Sequence, residues 1–143
     1  MSEGHANALM HDRLPVDFAG SVAAPFWLAA AAGRLAIQRC ERCGSYHHPP
    51  VDICPECVSL DLVFEDVSGH GTVAAFTITG GGASANGESF VVAVVCLDEA
   101  PTLRLVSNLP GVPVERIRPG LRVRLASPSP LLPCVPQFTS IED

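Results

Sequence analysis

Apolar residues along this chain follow two different rhythms. From Val22 to Ala32 they form an almost unbroken block, rich in Ala and interrupted only by Pro25. This predicts a helix over Ser21–Arg34: Pro25 fits the first turn, the alanines propagate it, and Gly33 suits the C-terminal cap. A helix this short is marginal in water and must dock on something, and Phe26 and Trp27 are the candidate docking side chains. After the first third the rhythm changes to alternation and short apolar runs. Leu60–Asp66, Gly71–Thr79, Phe90–Leu97, Thr102–Ser107 and Leu121–Ala126 read as strands, with Gln137–Ile141 as a last one. Between them lie a Gly/Ser/Asn-rich insertion (Gly80–Ser89), a loop with one helical turn (Pro110–Ile117) and a Pro-rich tail (Ser127–Pro136). Short strands punctuated by Gly and Pro predict a small β-barrel. Met1–Gly20 is polar, has no period, and reads as a loose arm that orders on a partner.

Composition narrows the picture. Hydrophobic residues make up 48% and aromatics only 6%, so the core is assembled from small side chains and gains from a metal staple or a partner. Net charge is −6, and all nine basic residues are Arg. Nucleic-acid binding rests on phosphate neutralisation by a basic stripe, so this balance argues against a nucleic-acid partner. The apolar block is too short to span a bilayer, and the first residues lack the basic start of an export signal. The expectation is a cytoplasmic chain with no membrane partner, whose six cysteines are reduced.

Four of those cysteines are spaced Cys40-x2-Cys43, ten residues, Cys54-x2-Cys57. A two-residue gap lets one tight turn present two thiolates to one ion, and two such turns close a tetrahedral Zn2+ site. Gly44 lets the first turn bend back, and Pro55 stiffens the second. A redox dithiol calls for a thioredoxin-like βαβ pattern, which is absent, and four thiolates leave no open position for catalysis. Iron fits the same cage. His47 and His48 read as surface histidines of the loop between the pairs, and Cys96 as a small buried hydrophobe.

Several of these features occur together in one known family. Phe26-Trp27, Gly33-Arg34-Leu35, Gln38-Arg39-Cys40-x2-Cys43-Gly44, Pro49-Pro50, Cys54-Pro55-x-Cys57, Ser68-Gly69-x-Gly71-Thr72-Val73 and Phe76-Thr77 resemble the zinc-ribbon/OB-fold family called domain of unknown function thirty-five. The resemblance runs from about Pro25 to Phe138. It departs at Val58, where Gly commonly follows the last Cys, and at His47-His48, where an aromatic is usual. It implies a mainly β chain in three parts: an arm and helix (1–34), a rubredoxin-like zinc ribbon (35–66), and a five-stranded OB-fold barrel with its tail (67–143). It further implies an accessory subunit of a thiolase-like enzyme, a lipid-transfer-protein-like aldolase or an acyl-CoA hydratase, in a hetero-oligomer acting on acyl-CoA in steroid side-chain, fatty or aromatic acid metabolism.

No catalytic constellation is expected. Ser68-Gly69-His70-Gly71 reads as a strand-entry turn, and the acidic pairs Glu65-Asp66 and Asp98-Glu99 as solvated strand ends. Arg104, Arg116, Arg118, Arg122 and Arg124 crowd one stretch and are candidates to clamp the phosphates of coenzyme A. The competing function is an OB-fold/zinc-ribbon nucleic-acid-binding module, against which the acidic balance speaks.

Overall fold

The computed structural model describes residues 21–80, 89–129 and 134–141. The arm, most of the Gly-rich insertion and part of the Pro-rich tail lie outside these residues. The described residues divide into two compact units: 21–66 with 127–129 and 134–135, and 67–126 with 136–141. Of the tail, 127–129 and 134–135 fall in the first unit and Pro136 in the second.

The first unit opens with helix α1 (Ala24–Ala31), shorter than the predicted span. Ser21 through Ala23 form a turn instead, in which the Ser21 carbonyl and hydroxyl accept from the Ala24 and Ala23 N–H groups. The C-terminus follows the expected glycine stop. Gly33 has φ +81°, its N–H bonds Ala30 O, and the Arg34 N–H bonds Ala29 O. This is the reciprocal pair of a Schellman cap. Strand β1 (Leu35–Cys40) follows at once and is the middle of a three-stranded sheet between β2 (Tyr46–His47) and β3 (Leu62–Val67). A central strand needs apolar or satisfied groups on both faces. Leu35, Ala36, Ile37 and Gln38 are all buried, and the Gln38 amide both donates to Val51 O and accepts from Val51 N–H. The Arg34 guanidinium holds Asp66 at 2.7 and 2.8 Å, and Tyr46 donates to Glu65 at 2.6 Å.

The second unit is a five-stranded antiparallel sheet in the order β6 (Leu105–Asn108), β5 (Ser89–Leu97), β4 (His70–Gly80), β7 (Arg122–Leu125), β8 (Phe138–Ser140). A 3-10 turn, Val114–Arg116, stands where one helical turn is predicted. The long β4–β5 ladder bends at a bulge between Val73 and Ala75. The edges approach each other, since the Ser107 hydroxyl in β6 donates at 2.8 Å to the carbonyl of Pro136, just ahead of β8. Val73, Ala93, Val95, Leu97, Leu121, Val123 and Phe138 form the core. Gly71 has no room for a side chain: a Cβ there lies 2.6 Å from Cys96 O and 2.9 Å from Val95 Cγ1. Among the described residues no helix is long and apolar enough to cross a membrane.

Candidate metal centre

Two chain reversals bring the four cysteines together, and they share one backbone plan. In the first, Cys40 N–H bonds Ser45 O and Gly44 N–H bonds Cys40 O, at 2.8 Å each. In the second, Cys54 N–H bonds Ser59 O at 2.9 Å and Val58 N–H bonds Cys54 O at 2.8 Å. Both need a left-handed residue just after the second cysteine. Gly44 supplies φ +80°, and Val58 takes φ +64°. A β-branched side chain in that region is strained, so the departure noted at Val58 is met by strain and the reversal keeps its form.

The Sγ atoms of Cys40, Cys43, Cys54 and Cys57 all lie within 4.8 Å of one another, with Cys40–Cys57 and Cys43–Cys54 each 3.6 Å apart. Sulfurs bound about 2.3 Å from one tetrahedral zinc stand about 3.8 Å apart, so the cage fits that ion. Cys40 and Cys54 are fully buried and Cys43 is exposed. The electrostatics also call for a cation. Burial, together with the neighbouring sulfurs, pushes the Cys57 thiol up to about 12. Burial also pushes Cys54 up, but hydrogen bonds from the backbone of Cys57 and Glu56 and from Ser45 and His47 outweigh it and bring Cys54 to about 5. The Ser45 hydroxyl holds Cys43 below the ordinary thiol value. Four thiolates at this spacing repel one another unless a divalent ion sits among them.

Of the loop histidines, one is buried and the other half-buried. His47 is buried, with Nε2 3.0 Å from Ser45 Oγ and 3.4 Å from Cys54 Sγ. The register Gln38↔His47 in the β1–β2 ladder places it there, a non-local pairing that cysteine spacing does not reveal. His48 lies against Phe26 with ring centroids 4.8 Å apart and the planes tilted by 39°, and its burial lowers its pKa below the usual imidazole value. Phe26, read above as a docking side chain, is 4% exposed and meets His48 and, edge-on at 5.1 Å, Trp27. Trp27 is half-buried.

In the second unit, Arg122 and Arg124 lie on the outer face of the sheet in the rows Arg122–Thr72–Cys96 and Arg124–His70, and Arg104, just ahead of β6, reaches Cys96. Arg122 makes a two-point pair with Asp98 at 2.7 and 2.8 Å and also reaches Thr72. That pair holds the Asp98 carboxyl below its ordinary value. Arg104 donates to Cys96 Sγ and Pro101 O, so Cys96 is half-buried on the outer face and not in the core. Arg116 and Arg118 lie at the 3-10 turn, away from the strand rows. Ser68 is turned to Glu99 and accepts from the His70 backbone N–H, which is the geometry of a turn.

The sequence patterning missed one feature outright. Strand β5 is apolar on both faces. Val91, Ala93, Val95 and Leu97 fill the core, while Phe90, Val92 and Val94 line the outside beside Val106. Phe90 is 55% and Val106 67% exposed. The continuous apolar run was the available signal, because strands covered on both sides read that way.

Known proteins share this arrangement. Residues 27–63 match the description "ChsH2, rubredoxin-like zinc ribbon domain" and residues 64–127 "ChsH2, C-terminal OB-fold domain". A solved structure described as "Ltp2-ChsH2(DUF35) aldolase" is 35% identical with a TM-score of 0.71, over 82% of this chain and 93% of that one. A DUF35-family protein of unknown function from Sulfolobus solfataricus has the same fold at 14% identity, with a TM-score of 0.63 over 91% of each chain. A "Probable enoyl-CoA hydratase alpha subunit" of Thermomonospora curvata is 38% identical over 125 residues, which is 80% of this chain and 39% of that protein's length. With both halves matched in order and the cysteine cage formed, the chain belongs to the ChsH2 (DUF35) family of zinc-ribbon/OB-fold proteins.

Proposed function

We propose that this chain is a non-catalytic accessory subunit, carrying one structural zinc ion, of a cytoplasmic thiolase-superfamily enzyme that cleaves acyl-CoA substrates by thiolysis or retro-aldol chemistry. Steroid side-chain, fatty and aromatic acid degradation supply substrates of that class. The observation that carries the reading is the likeness to the 35%-identical Ltp2-ChsH2(DUF35) aldolase chain, of which this chain matches 93%. The hydratase-subunit relative, longer than this chain's match, is consistent with the same module serving beside an acyl-CoA enzyme. The apolar outer row of β5 supports a protein partner, since a water-facing strip of Phe90, Val92, Val94 and Val106 gains by being covered. Catalysis is assigned to the partner: of the two serines near a histidine among the described residues, Ser68 is held in a turn by Glu99 and the His70 backbone N–H, and Ser45 faces the cysteine sulfurs.

Coexpression with a thiolase-like polypeptide tests the reading. The two are expected to elute together, with carbon–carbon bond cleavage of an acyl-CoA only in the joint fractions. Phe90→Glu with Val106→Glu is expected to abolish co-elution while the zinc content is kept. Separate elution of folded, zinc-loaded chains contradicts the proposal. Direct contact with coenzyme A falls to Arg104 and Arg124, which among the described residues meet backbone carbonyls and a thiol, whereas Arg122 is held by Asp98. Calorimetric titration of the complex with an acyl-CoA is expected to weaken in Arg104→Ala and Arg124→Ala; unchanged binding removes the clamp.

A further inference from the structure

The hydrogen-bond pattern around the cysteines is one-sided, and only one of the two reversals has a polar side chain directed at the sulfurs. Ser45 Oγ lies 3.0 Å from Cys43 Sγ, 3.6 Å from Cys54 Sγ and 3.0 Å from His47 Nε2. His47 Nε2 lies 3.4 Å from Cys54 Sγ. A hydroxyl has a single hydrogen. A metal-bound thiolate only accepts, so that hydrogen goes to the nearer sulfur, Cys43. The Ser45 oxygen then accepts from His47, which fixes the imidazole hydrogen on Nε2, and the same N–H leans toward Cys54. Ser59, the counterpart of Ser45, turns away and accepts from the Asp61 N–H at 3.0 Å.

We propose that Ser45 and His47 are positioning residues for the metal, forming a relay from His47 Nε2–H through the Ser45 hydroxyl to the Cys43 thiolate, with a branch to Cys54, that braces one sulfur of each reversal. Zinc with four thiolates carries a net charge of about −2, and donors aimed at the sulfurs offset it. Cys43 is the most exposed of the four ligands and so the most open to competing chelators or electrophiles. A hydroxyl bonded to it ties down the lone pairs such agents use. Outer partners of this kind typically set metal affinity by about 10–100-fold. The relay rests on the metal reading of the cage and is independent of any partner subunit.

The test uses the full zinc-loaded chain. Zinc transfer to an excess of chromophoric chelator is expected to run about 10-fold faster or more in Ser45→Ala and in His47→Phe, and near the parent rate in Ser45→Thr, which keeps the hydroxyl. In the cobalt-substituted chain, Ser45→Ala is expected to shift the sulfur-to-metal charge-transfer bands, which a purely structural role leaves in place. Parent-like release, or faster release with unshifted bands, overturns the relay. Nitrogen-15 spectra of the unsubstituted holoprotein keep the proposal falsifiable should a variant not fold: the hydrogen of His47 is expected on Nε2, and finding it on Nδ1 refutes the relay. A chain that takes up no zinc sinks the metal reading and the relay together.

Discussion

The two cysteine reversals have the same backbone plan and are completed differently. The first uses a glycine where a left-handed residue is required, and a serine whose hydroxyl faces the sulfurs. The second forces Val58 into that conformation at φ +64° and spends its serine on a backbone N–H. Hydrogen-bond topology alone therefore does not set their worth. The first reversal is relaxed and chemically braced. The second is strained around a buried Cys54, and a metal bound among the four sulfurs would hold it. Metal binding free energy is large enough to carry that strain, at about 10–16 kcal/mol in zinc-finger peptides against about 1–3 kcal/mol for a strained residue.

Removing a ligand makes the largest difference. Cys43→Ser and Cys57→Ser are each expected to lose tight zinc binding and unfold the ribbon, with a change in Trp27 fluorescence through the Phe26–His48 contact. Zinc retained at parent affinity by either variant contradicts the shared cage. Next comes the exchange at the left-handed positions. Gly44→Val is expected to cost about 1–2 kcal/mol, and Val58→Gly to stabilise the zinc-loaded chain by about 1 kcal/mol, read as opposite shifts of the denaturation midpoint. Shifts of the same sign deny that the reversals differ in strain. A smaller effect follows from Ser59→Ala, about 1 kcal/mol of stability for the lost bond to Asp61, with zinc release unchanged, in contrast to Ser45→Ala.

The smallest effect concerns pH. Burial against Phe26 keeps His48 neutral in the fold, so its pKa is lowered from 6.5. Below that value the unfolded chain binds the proton more readily than the folded one. The associated stability is present above pH 6.5 and is lost as the pH falls toward the lowered folded value. The difference in stability between parent and His48→Gln, measured on zinc-loaded chains, is expected to shrink in this window. A difference constant from pH 7.5 to about 5 argues that His48 is not held neutral.

What the sequence revealed follows the range of the interactions. The cage was readable because each pair of ligands sits in one tight turn and two equal spacings coincide by chance rarely. Gly33 and Pro25 bracket α1 by local rules, and only its first residues deviate, where Ser21 makes a turn. The strands of the second unit fall within a few residues of their predicted spans, the third starting at Leu105 rather than Thr102. The features that escaped depend on partners distant in sequence. His47 reads as a loop residue until β2 pairs with β1. The contact between Phe26 and His48 joins residues 22 positions apart and has no local signal. Arg122 reads as a free cation until the β4–β5 hairpin delivers Asp98. The apolar outer row of β5 has no signature of its own, because a run without alternation conceals which face is open.

X-ray absorption at the zinc edge of the freshly isolated, reduced chain tests the metal centre on which the ribbon depends most directly. Four sulfur neighbours at about 2.3 Å, with one metal per chain, are the predicted result, with His47 held outside the coordination sphere. A nitrogen neighbour from imidazole, or a chain without metal, contradicts it.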